Sequence, residues 1–138
     1  MLKFNYSDLG LNVERIEGTV EEIVSRRMLL AMRVQETLCA EPGGASFLVA
    51  IDHLWFDDLL KAIDQSGCPD IQVCMADAEF AEVSISGTWI ASSSESHEGI
   101  LVCVLGVALE ALIDRMWSVD RVANAEVKVQ SSGDRNSF

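Results

Sequence analysis

Ala81-Glu82-Val83-Ser84-Ile85-Ser86-Gly87-Thr88-Trp89 alternates apolar and polar side chains without a break. Successive side chains of a strand point to opposite faces, so this pattern makes one dry face and one wet face. It predicts an antiparallel sheet that buries one side and exposes the other. Immediately upstream, Ile71 to Met75 reads as a short buried strand, and Ala76-Asp77-Ala78-Glu79 lies at one end of the hairpin the two would form.

Working outward, Leu2 to Tyr6 and Leu11 to Ile16 alternate in part and are separated by Ser7-Asp8-Leu9-Gly10, which supplies turn residues. Thr19 and Glu22 stand at capping-box spacing, so a helix begins there. Its end is ambiguous. Val20, Ile23, Val24, Arg27, Ala31 and Val34 fit a helical stripe, while Met28, Leu30, Met32 and Val34 also alternate with Arg33, Gln35 and Thr37. The reading taken is a short helix to about Arg26 and a strand from Arg27 to Cys39, turning through Ala40-Glu41-Pro42-Gly43-Gly44 into a partner strand over Ala45 to Ile51. Asp52 then caps a helix over His53 to Ile63 whose inward face is Phe56, Leu59, Leu60 and Ile63, ended by Ser66-Gly67-Cys68-Pro69. A last helix runs from about Glu98 to Trp117, with Ile100, Leu101, Val104, Leu105, Ala108, Leu109, Leu112, Ile113 and Trp117 on one broad apolar face. The expected class is α+β: a mainly antiparallel sheet with helices packed on one face. Residues 1–129 form one domain, and 130–138 a flexible polar tail.

A chain of 138 residues buries roughly two-thirds of its unfolded surface in one core. The longest apolar run, Ile100 to Leu109, is broken by Gly106 and is far shorter than a membrane span. No secretory signal is read in the first residues, so the cytoplasm is the expected location. Cys39, Cys74 and Cys103 sit in apolar segments and read as small buried hydrophobes, and Cys68 as a loop thiol. No disulfide or C-x-x-C metal motif is spaced among them.

The formal net charge is −12. From Ala62 to Asp114 there are nine carboxylates and no Lys or Arg. Such a field repels phosphate backbones and anionic lipid, which argues against nucleic acid and membrane surfaces as partners. No phosphate loop, dinucleotide fold signature, zinc-protease motif, nucleophile elbow or EF-hand loop is present. His53, among Asp52, Asp57 and Asp58, and His97 beside Glu98 are the residues an enzyme would use, and both read more simply as surface histidines. The expectation is therefore a non-enzymatic binding protein. Carboxylates with no base between them repel, and a divalent cation relieves that repulsion. Asp70, Glu95 and Glu98 are expected at one end of the hairpin, with Asp77 and Glu79 at the other, as calcium ligands. The alternative is an acidic adaptor or chaperone that docks a basic or hydrophobic protein segment, with Trp55, Asp57 and Asp58 as an exposed contact.

Met1 to Tyr6, Val13-Glu14-Arg15-Ile16 and Leu30-Ala31-Met32-Arg33-Val34 resemble short uncharacterised proteins of cyanobacteria. The chain is similar in size and charge to acidic calcium-binding proteins of that group that lack EF-hands. The resemblance implies a photosynthetic bacterial source and favours the calcium reading over the adaptor.

Overall fold

The computed structural model describes residues 1–93, 96–120 and 127–131. In chain order the elements are β1 (Leu2–Ser7), β2 (Gly10–Arg15), α1 (Val20–Arg33), β3 (Cys39–Ala50), α2 (Phe56–Ser66), β4 (Ile71–Met75), β5 (Phe80–Ala91), β6 (Gly99–Cys103), α3 (Val107–Asp120) and β7 (Val127–Ser131). One seven-stranded sheet runs in the order β2-β1-β6-β5-β3-β7, with β4 added beside β5. Every pairing is antiparallel. The α+β class expected from the alternation is the one observed.

The long strand β5 organises the sheet. Along one edge it pairs with β3 from Phe80 to Ala91. Its other edge is shared: β4 pairs with its first half, Ala81 to Ile85, and β6 with Thr88 to Ile90. On one face lies the main core, in which Phe4, Phe47, Val83, Ile85 and Trp89 meet Phe56 and Leu59 of α2 and Leu109, Ile113 and Trp117 of α3. Trp117 packs edge-on against Phe47 and Phe4, with ring centroids 5.3 and 6.4 Å apart. On the opposite face Ile90, Ile100 and Val102 form a smaller cluster with Ile23 of α1. Two helices thus cover one face and α1 lies on the other.

Thr19 caps α1 as expected: the Glu22 N–H donates to its Oγ1 at 3.2 Å. Replacing Thr19 with Ala should cost about 1 kcal/mol, read as a lower urea midpoint with unchanged slope. The helix does not stop at Arg26. It runs to Arg33, where Gln35 takes a left-handed conformation (φ 59°) and the N–H groups of Gln35 and Glu36 return to the carbonyls of Met32 and Ala31. That is a Schellman termination without its usual glycine. The strand expected over Arg27 to Cys39 is therefore helix for half its length.

Four other expectations are corrected. Ala40 to Gly44 is not a turn but belongs to the first half of β3, paired with Ser86 to Ile90. Pro42 is tolerated there because the pairing with β7 begins only at Gly43, so up to Pro42 the strand has β5 alone as a described neighbour. Residues 99–103, expected as helix, form β6, and α3 starts only at Val107. Asp52 caps nothing: the chain turns through His53, whose Nδ1 accepts the Trp55 N–H at 3.1 Å, and α2 starts at Phe56. Gly67, at φ 62°, closes α2 in the left-handed conformation that glycine adopts without strain. Of the polar tail, Gln130 and Ser131 belong to β7, and 132–138 lie outside the described residues.

Candidate functional site

The α1 helix has two unlike sides. Val20, Ile23 and Val24 turn toward the sheet and join the smaller cluster. On the other side, Met28, Leu29 and Met32 are 39%, 59% and 71% exposed. With Ser25 they repeat at i, i+3, i+4 and i+7, the spacing of a helix packing seam. Leu30 and Val34 are also exposed, but on the opposite side of the helix, where Leu30 lines a groove with Ile23. Helices normally turn such a stripe inward, and here it faces away from the protein.

This region is close to neutral, whereas the rest of the chain is strongly acidic. Lys3, Arg26, Arg27 and Arg33 are four of its ten bases. A groove of about 280 Å³ between α1 and the β1–β2 hairpin is lined by Lys3, Arg26 and Arg27 over Ile16, Ile23 and Leu30, with Glu17 at its rim. Lys3 is paired with Glu14 at 2.7 Å. Arg26, Arg27 and Arg33 have no carboxylate partner among the described residues. The helix itself is polarised: Glu21 and Glu22 occupy its first turn, and its arginines lie beyond.

The carboxylates expected to bind calcium are not gathered. Asp77 is a turn residue, its Oδ1 accepting the N–H groups of Glu79 at 2.7 Å and Phe80 at 2.8 Å. Asp70 is not at the end of the sheet with Glu98: its carbonyl accepts the Ser86 N–H, halfway along β5. Glu98 lies beyond the end of β5, where it accepts the Asp8 N–H. The strand rise puts Asp70 and Glu98 roughly 20 Å apart. Glu95 lies outside the described residues. Among the described residues no group of three His, Cys, Asp or Glu side chains is placed to hold a metal ion.

The expected contact at Trp55 also differs. Trp55 is half-buried against the main core, with the Arg115 guanidinium 5.9 Å over its ring. Asp57 and Asp58 are exposed in the first turn of α2, where carboxylates favour the helix dipole. Cys39 and Cys74 are exposed rather than buried: Cys39 is the first residue of β3, at the end of the sheet, and Cys74 lies on an outward-facing position of β4. Cys103 is buried, and burial above all, with Glu110 adding to it, pushes its thiol up to about 12. It is protonated and inert at neutral pH.

One consequential residue went unread. Glu110, 4% exposed, accepts a hydrogen bond from the Met1 ammonium at 2.5 Å and from the N–H groups of Leu105 at 3.0 Å and Gly106 at 3.2 Å. Burial raises its carboxyl, but the ammonium and the two N–H donors outweigh that and hold it below the usual carboxylate range. With the helix drawn from Glu98, Glu110 falls mid-helix among solvated acids. Only a helix starting after Gly106 puts it in the first turn, within reach of the orphan N–H groups.

No curated protein and no solved structure matches the chain. A family model described as Alr0857-like matches residues 1–121, the whole course from β1 through α3. The family takes its name from a Nostoc/Anabaena locus, in agreement with the resemblance to short cyanobacterial proteins. The seam of α1 and the buried carboxylate of Glu110 both lie within the matched span, and the chain belongs to the Alr0857-like family.

Proposed function

We propose that this chain is a non-enzymatic docking protein and that α1 presents its docking surface. The observation that carries the reading is the outward placement of Met28, Leu29 and Met32 at packing-seam spacing, uncovered among the described residues. The three form one contiguous exposed apolar strip along the helix, the kind of patch that marks an interaction site. Two of the three seam residues are methionines, whose flexible thioethers adapt to a partner's shape. A protein partner fits better than nucleic acid or anionic lipid, since the net charge of −12 opposes both. The dispersal of Asp70, Asp77, Glu79 and Glu98 favours docking over calcium binding.

A photo-crosslinking side chain placed singly at Leu29 or Met32, with Gln72 on the wet sheet face as control, tests the reading in the cells of origin. Discrete protein adducts are expected from both α1 positions, unchanged by chelator, and none from position 72. Absence of adducts at 29 and 32, or equal adducts at all three positions, overturns it. So does a saturable calcorimetric response to calcium at physiological salt that abolishes the adducts.

A further inference from the structure

We infer that the partner on this face is a second copy of the chain, with α1 packed antiparallel against α1 across a two-fold axis. The inference rests on the docking reading and names its partner.

Charge decides the orientation. Glu21 and Glu22 open the helix and Arg33 closes it, eleven residues beyond Glu22. A parallel arrangement sets like charge against like. An antiparallel pair centred near Met28 sets Glu22 of one copy beside Arg33 of the other, and the two-fold repeats the contact. At 100° per residue Glu22 and Arg33 fall on the same flank of the Ser25, Met28, Leu29, Met32 seam, as a symmetric antiparallel pair requires. Within one helix the two are three turns apart, so their opposite charges are not spent on each other. The helix dipoles also oppose favourably in this orientation. Ser25, small and on the seam, lets the two backbones approach beside the longer methionines.

Charge also decides the face. Two copies each carrying −12 repel across most of their surfaces. The α1 side carries Lys3, Arg26, Arg27 and Arg33 against Glu14, Glu17, Glu21 and Glu22, so it is close to neutral and two copies approach there with little repulsion. The seam alone is smaller than the roughly 800 Å² per partner of a standard interface, so the dimer should be concentration-dependent rather than permanent.

Sedimentation velocity of the full chain over a wide concentration range reads the association. The expected result is a mass rising from one chain toward two. Met32→Glu should weaken dimerisation by more than tenfold, since in this register it puts a carboxylate into the apolar seam beside the acidic first turn of the second copy's helix. Glu22→Arg and Arg33→Glu should each weaken it, and the double reversal should restore it. Circular dichroism of each variant separates loss of dimer from loss of helix. A single-chain mass at all concentrations overturns the inference, as does a dimer indifferent to Met32→Glu or a double reversal that fails to rescue. If the chain is monomeric while positions 29 and 32 still crosslink to a different protein, the second-copy inference fails and the docking reading stands. If the chain is monomeric and the adducts are absent, both fail.

Discussion

Glu110→Ala removes about 3–5 kcal/mol of stability, a large share of the 5–15 kcal/mol a domain of this size holds. The expected loss is large because three donors converge on one buried carboxylate: the Met1 ammonium and the N–H groups of Leu105 and Gly106. Truncation leaves an uncompensated ammonium and two unpaired donors in the wall of the main core. It also unties the start of β1 from the β6–α3 connection, 109 residues away in the chain. Urea unfolding measures the loss as a lower midpoint. Glu110→Gln, which keeps the shape and one acceptor but not the charge, should lose less, and its comparison with the native chain gives the pH dependence. The carboxyl is held below its ordinary range in the folded state, although burial alone would raise it. Its contribution is therefore present in full above the unfolded carboxyl's pKa, near 4.3, and is lost as pH falls through the lower folded value. The stability gap between native chain and Glu110→Gln should be constant near neutrality and close below about pH 4. A gap that widens on acidification would contradict the assigned ion pair.

The fold was legible where one face of an element is wet. β4, β5 and the β1–β2 hairpin announce themselves by alternation and by turn residues, and Thr19 by its cap. β6 was not legible for the opposite reason. Leu101 and Cys103 enter the main core while Ile100 and Val102 pack under α1, so both faces are buried and the run has no period to read. An apolar stretch of that kind joins smoothly to the following helix and looks like its first turns. The end of α1 was hidden by chemistry: a Schellman turn built on Gln35 leaves no glycine or proline in the sequence. The candidate site was lost through that same error. Met28, Leu29 and Met32 were present in the sequence as apolar residues, but reading them into a strand gave them a sheet to face. On a helix they face water. The calcium reading failed to converge because composition counts carboxylates without placing them, and only the β4–β5 and β5–β6 registers put Asp70 and Glu98 far apart.

Gly87→Ala should cost about 3 kcal/mol, although glycine here has no special dihedral to justify it. A Cβ at this position would stand 2.4 Å from the Val102 carbonyl oxygen and 3.0 Å from the Cys103 Cβ. The obstacle is mostly backbone, so relief requires β6 to move away from β5. That junction is thin. Only Thr88, Trp89 and Ile90 pair β5 with β6, and through β6 hang β1 and β2. Gly87 sits where β5 changes partner from β4 to β6, so its missing side chain lets the two halves of the sheet meet. The consequence should reach the docking surface. Ile90, Ile100 and Val102 are the sheet residues on which Ile23 anchors α1, and all three lie at this junction. Hydrogen exchange should therefore accelerate first in β6 and α1 of the variant, with β3, β4 and α2 less affected. Uniform acceleration across the sheet would show instead that the strain is shared by the whole core, and would remove the link between the β5–β6 junction and the placement of α1.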